Sequence, residues 1–154
     1  MAVLKLSRLT DYAVVVLSRM GQVDAPLLSA PGLAVRTGLA EPTVAKVLKI
    51  LAQSNIVEGL RGARGGYRLT RPLAKIRLSD VIVAFDGPIA LTACVEGGSG
   101  GCESEHCCPV RGRWDPVNRA IREALADISV ADLTGGGCLG GSMSLPADHH
   151  VAAE

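Results

Sequence analysis

Three cysteines, Cys94, Cys102 and Cys108, stand at C-x7-C-x5-C spacing in the run CVEGGSGGCESEHCCP. Thiolates are soft metal donors, and the residues around them are glycine and small polar types that cannot bury enough apolar surface to order themselves. A bound inorganic core is therefore expected to organise the segment. The paired C-x2-C spacing of a structural zinc site is absent. Thiolates at longer spacing suit a multi-iron core, whose metals take ligands from several directions, so an iron–sulfur cluster is the leading expectation, with zinc binding and thiol redox chemistry left open.

The plainer reading of each residue differs. Cys94 follows the apolar run IALTA and can be a small buried hydrophobe. That reading suits Cys102 and Cys108 less, set as they are among Gly, Glu, Ser and His. Cys107 adjoins Cys108, and neighbouring side chains point apart, so it is not expected on the same iron. His106 is the one imidazole near the loop and a candidate fourth ligand. Cys138, His149 and His150 fall in a small-residue, glycine-rich tail and are expected to be bystanders.

The rest of the chain must position this loop. At 154 residues with 48% hydrophobic side chains, it suits one domain plus an appendage. The net charge of +1 hides an asymmetry: residues 1–80 hold twelve Lys and Arg against five Asp and Glu, and residues 81–154 hold four against ten. A basic first half suits a polyanion, which the acidic second half would repel. No apolar run is long enough to span a bilayer, and the start of the chain has no signal-type pattern, so a cytoplasmic protein with no membrane partner and with reduced thiols is expected.

From Ser7 to Gly21 the pattern predicts a helix with Ala13, Val14, Leu17 and Met20 on one face. A shorter helix over 29–37 ends at Gly38. Glu41 to Ser54 then resumes helical periodicity, with Pro42 in the first turn and Val44, Val47, Leu48 and Leu51 inward. Helix, glycine turn and helix outline a helix-turn-helix. IVEGL and YRLT, separated by RGARGG, read as a hairpin. A short helix over 77–85 precedes the cysteine loop. After it, Trp114, Val117, Ile121, Leu125 and Ile128 form an apolar stripe that predicts a long helix, more than the small first domain can cover.

With its apolar face inward, the helix beginning at Glu41 turns Thr43, Lys46 and Lys49 outward beside Glu41 and Pro42. Lysines contact phosphates or guanine edges, a glutamate accepts from cytosine, and helix-start amides hold phosphate. An ordinary amphipathic helix explains that face as well. The hairpin tip, with Arg61 and Arg64 on a glycine-rich turn, favours a duplex as partner. Tyr67 reads as a β-prone core residue ahead of a phosphate contact.

Four segments together, DYAV, RGARGGYRL, LSDVIVAFDGP and C-x7-C-x5-CPVRGRW, resemble the IscR-type iron–sulfur-responsive winged-helix transcription regulators, most of all regulators of the SUF cluster-assembly system. The resemblance covers about residues 3–133. It implies a winged helix, a homodimer, transcriptional control linked to cluster status, and cluster-assembly proteins as donors. It also implies Cys94, Cys102 and Cys108 as ligands, with Trp114 at the expected distance, base reading near Pro42, Thr43, Ala45 and Lys46, and Arg61 in the minor groove. Ala45 stands where IscR uses a glutamate to discriminate sequence, which implies a different operator. Arg111 stands where IscR has a histidine ligand and cannot ligate, so the fourth ligand is open, and [4Fe-4S] is placed ahead of [2Fe-2S].

The expectation is a mostly α fold with a small β-hairpin. It comprises a winged helix-turn-helix over 1–87, a cluster-binding loop over 88–111, a long dimerisation helix over 112–133 and a flexible tail over 134–154. The function expected is transcription regulation through a double-stranded DNA operator. The alternatives are a winged-helix regulator sensing redox or zinc through thiols, and an iron–sulfur electron carrier. No paired acid and base or nucleotide-binding glycine loop marks an enzyme.

Overall fold

The computed structural model describes residues 5–98, 100–104 and 106–134. Helix α1 (Arg8–Gln22) starts where the Ser7 hydroxyl accepts from the Thr10 amide, and it buries Thr10, Ala13, Val16, Leu17 and Met20. Val16 takes the core position, and Val14, expected inward, is half-buried against its edge. Helix α2 (Ala30–Thr37) is capped by Ser29 and stops at Gly38, whose φ of 73° is left-handed. Helix α3 (Glu41–Gln53) follows, with Val44, Val47, Leu48 and Leu51 fully buried as the periodicity predicts. Each such side chain contributes roughly 1.5–3 kcal/mol by leaving water, which is what holds α1, α2 and α3 together.

Strands β1 (Val57–Leu60) and β2 (Gly66–Leu69) pair antiparallel, with Val57 opposite Leu69 and Leu60 opposite Gly66. Leu28 adds a rung the sequence does not announce: its amide donates to the Tyr67 carbonyl at 2.9 Å and its carbonyl accepts from the Tyr67 amide at 2.8 Å. The Tyr67 ring is half-buried against the core. One 3-10 turn (Leu73–Lys75) leads to α4 (Leu78–Asp86).

After the cysteine loop comes α5 (Asp115–Asp127), then α6 (Val130–Thr134). The segment expected to be one helix over 112–133 is thus broken at Ile128 and Ser129. The Leu78 amide donates to the Ile128 carbonyl and the Val130 amide to the Ile76 carbonyl, both at 2.8 Å, while Val130 is fully buried. Those bonds and that burial require an extended backbone, which outweighs helical continuation. Ser129 and Asp132 then cap α6 reciprocally, side chain to backbone amide in both directions. Val130 joins the core built by α1, α2 and α3, so that core draws on a residue far past position 87. The tail from residue 135 onward, with Cys138, His149 and His150, lies outside the described residues.

Candidate nucleic-acid interface and cysteine loop

Burying one face of α3 turns Glu41, Pro42, Lys46 and Lys49 to solvent, with Thr43 half-buried at their edge. The helix start has no side-chain cap. The β-hairpin stands beside the other end of α3, and a groove of about 440 Å³ runs between them, lined by Lys49, Ala52, Gln53, Leu60, Arg61 and Tyr67. The fold therefore brings Lys49 and Arg61 to one groove. Arg64 is exposed at the hairpin tip, apart from the groove lining.

Electrostatics separates these cations from their neighbours. Arg68 is held by Glu58 at 2.8 Å, and Arg71 reaches Asp80 at 3.4 Å and the carbonyls of Asn55 and Lys75. No such pairing engages Lys46, Lys49, Arg61 or Arg64 among the described residues. A free cation on an exposed groove attracts a polyanion, whereas a paired one is already neutralised.

The cysteine loop begins in an ordered way. Gly98 folds back so that its amide donates to the Val95 carbonyl at 2.8 Å, and a Cβ there would lie 2.5 Å from the Ala93 carbonyl oxygen. Only glycine fits that approach. Cys94 is half-buried, its sulfur 3.3 Å from the Thr92 hydroxyl, and it lines a cleft of about 1440 Å³ between α4 and α5 with Val83, Asp115, Arg119 and Arg122. Cys102 and Cys108 are half-buried and Cys107 and His106 exposed. Three soft donors on one loop fit an iron–sulfur core by chemistry. They are not gathered in space: among the described residues, no three His, Cys, Asp or Glu side chains converge as a metal site.

Two side chains that carry weight here escape the motif reading. Asp86, at the end of α4, accepts from the Thr10 hydroxyl and the Ser7 amide and so anchors the start of α1. Burial raises its carboxyl, but the hydrogen bonds from Thr10 and Ser7 outweigh that and hold it below its ordinary value of 3.8. Asn118 is buried on α5 and bonds to the backbone of residues 89–91. Its signal in the sequence is a polar residue set within the apolar arc between Val117 and Ile121.

The stripe on α5 is left largely uncovered, with Trp114 41% and Val117 45% exposed. No helix among the described residues is long and apolar enough to cross a membrane.

Comparison with known proteins agrees with this geometry. Residues 6–136 match the model of the Rrf2 family, described as iron-dependent transcriptional regulators. The chain is 30% identical over 130 residues to protein aau3 of Rhizobium meliloti (strain 1021), spanning 84% of each. Among solved structures it is similar to CymR, the global cysteine regulator of B. subtilis, with a TM-score of 0.64 and 26% identity over 86% of this chain and 97% of that one. It is also similar to T. potens IscR, with a TM-score of 0.59 and 28% identity over 86% and 87%. The chain belongs to the Rrf2 family of DNA-binding transcription regulators.

Proposed function

We propose that two copies of this chain hold a two-fold symmetric operator and sense iron–sulfur cluster status through Cys94, Cys102 and Cys108, controlling cluster-assembly genes of the SUF type in the cytoplasm. The observation that carries the reading is the pair of unneutralised cations, Lys49 and Arg61, on one groove between α3 and the hairpin. Glu41, Pro42, Thr43 and Lys46 are assigned to the major groove, Lys49 to phosphate, Arg61 to the minor groove and Arg64 to the adjoining backbone. The uncovered stripe on α5 supports pairing with a second copy, because Ala120 and Ala124, also exposed, let a partner helix approach beside Val117 and Ile121.

A bound cluster supplies a centre whose charge and integrity respond to iron and oxidants. The chain supplies three thiolates and a glycine-rich backbone able to close around it. Arg111 cannot ligate, and His106, two residues before Cys108, is the nearest imidazole in sequence. [4Fe-4S] is favoured over [2Fe-2S], and cluster-assembly proteins are the donors. The family's description as iron-dependent and the likeness to a solved IscR support this reading. A second reading, sensing through thiols or zinc without a cluster, is favoured by the exposed Cys107 beside Cys108 and by the likeness to a cysteine regulator.

Anaerobic purification with iron, sulfide and Mössbauer measurements separates the two. Stoichiometric iron and sulfide, lost in a folded Cys102→Ala variant, are the expected result. Zinc or no metal in folded wild-type protein sinks the cluster reading and leaves the thiol one. Duplex binding that weakens steeply with salt is expected in either case and excludes an electron carrier.

A further inference from the structure

Asn118 is 2% exposed, and both ends of its carboxamide meet the backbone of residues 89–91. Its Oδ1 accepts from the Leu91 amide at 3.0 Å, and its Nδ2 donates to the Ile89 carbonyl at 3.2 Å. A carboxamide that engages the N–H and C=O of alternate residues reproduces what a neighbouring backbone does to a strand edge. Residues 89–91 are therefore held on α5 as though α5 offered them a strand. Leu91 lies three residues before Cys94. Beyond Cys94, Glu96 reaches Arg122, one turn along α5, at 3.5 Å, but both side chains are exposed and the contact is weak. The Asn118 amide itself donates to the carbonyl of Trp114 at 2.9 Å, and Trp114 is the chain's single tryptophan, at the start of α5.

We infer that Asn118 is a positioning residue through which Cys94, and with it the cysteine loop, is coupled to α5. Pulling residues 89–91 off α5 leaves a buried carboxamide without partners, which is costly. A change that displaces Cys94 is therefore passed to α5 rather than absorbed between them. An apolar residue at 118 can fill the same space but cannot transmit direction, because it has no directed bonds to lose. The inference deepens the sensing role proposed above and rests on that role for its purpose; its geometry stands apart from it.

The test uses the full-length chain free of metal. In Asn118→Leu, hydrogen exchange at the Leu91 amide is expected to be about five- to tenfold faster than in wild type, while Leu17 and Leu48 in the core keep their protection. Alkylation of Cys94 by iodoacetamide, followed peptide by peptide, is expected to accelerate, with exposed Cys107 unchanged. In a chain whose Cys102, Cys107, Cys108 and Cys138 are replaced by Ser, alkylating Cys94 is expected to shift the emission of Trp114, and Asn118→Leu is expected to abolish that shift. Should Asn118→Leu lose core protection, Asn118→Ala replaces it in the same three measurements. Unchanged Leu91 exchange and Cys94 alkylation in the folded variant overturn the clamp, and a Trp114 shift that survives the substitution overturns the coupling. The iron and sulfide assay decides the cluster reading separately, because none of these measurements needs metal.

Discussion

Arg61 and Arg68 lie on the same hairpin, yet their neighbours give them different chemistry. Glu58 stands across the strand pair from Arg68 and neutralises it, while Arg61 follows Leu60 onto the turn and, among the described residues, forms no ion pair. Arg61→Ala is therefore expected to weaken duplex binding by roughly 1–3 kcal/mol, and Lys49→Ala to weaken it across all sequences and lower the salt slope by about one. Arg68→Ala is expected to change little. Fluorescence anisotropy at several salt concentrations measures all three, and equal losses at Arg61 and Arg68 would remove the distinction. At the end of α4, the depressed Asp86 carboxyl makes stability depend on pH in a defined direction. A group whose folded pKa lies below its unfolded value stabilises the fold above that unfolded value, and the contribution disappears as pH falls through the folded one. Asp86→Ala is expected to cost roughly 0.5–1.5 kcal/mol near neutral pH, with a gap to wild type that closes in strong acid. Denaturant titrations at the two pH extremes measure it.

Element by element, the first half of the chain was legible because local rules and global packing agree there. Ser29, Gly38 and Pro42 punctuate α2 and α3, and the four apolar residues of α3 fall at helical spacing with no competitor. The second half was legible in part. The stripe from Trp114 to Ile128 correctly marks α5, but periodicity cannot show that residues 128–130 have a better partner at 76–78. The Ser129–Asp132 capping pair was the local sign of a new helix, and it stood hidden inside an apparently continuous pattern. The strand rung at Leu28 and the bonds of Asn118 were illegible, since backbone pairing across distant segments leaves no trace in composition. For the candidate site, residue types and spacing single out the cations and thiols as candidates, but which of them share a groove depends on the angle of the hairpin to α3. The exposed stripe carries its own test: Val117→Glu is expected to convert a dimer to monomers in sedimentation while leaving the helical signal intact. A dimer that persists would move the interface off α5.

Taken whole, the molecule joins a basic half to an acidic half, and the two are tied at more than one point. The antiparallel contact of Arg77 with Ser129 fastens the far end of α5 to the start of α4. The bonds of Asp86 to Ser7 and Thr10 make a second tie, while those of Asn118 hold residues 89–91 on α5 within the acidic half. Val130→Ala, a change at a fully buried core position, is expected to lower the stability of the whole chain by roughly 1–3 kcal/mol in denaturant titration. A second, separate transition appearing in its place would show that the two halves unfold independently.

The burial of Val130 also bears on how the protein is made. The chain leaves the ribosome from its N-terminus, and α1, α2 and α3 emerge long before residue 130 is added. Their core is missing a wall until then, and the contact between Arg77 and Ser129 closes a loop of about fifty residues that contains the cysteine segment and α5. A nascent chain thus reaches its full grip on itself only after the thiols have been synthesised and exposed to the cell. Birth order places the cysteine segment before the finished core, and a truncated product that lacks that segment also lacks the last piece of the core around α1, α2 and α3.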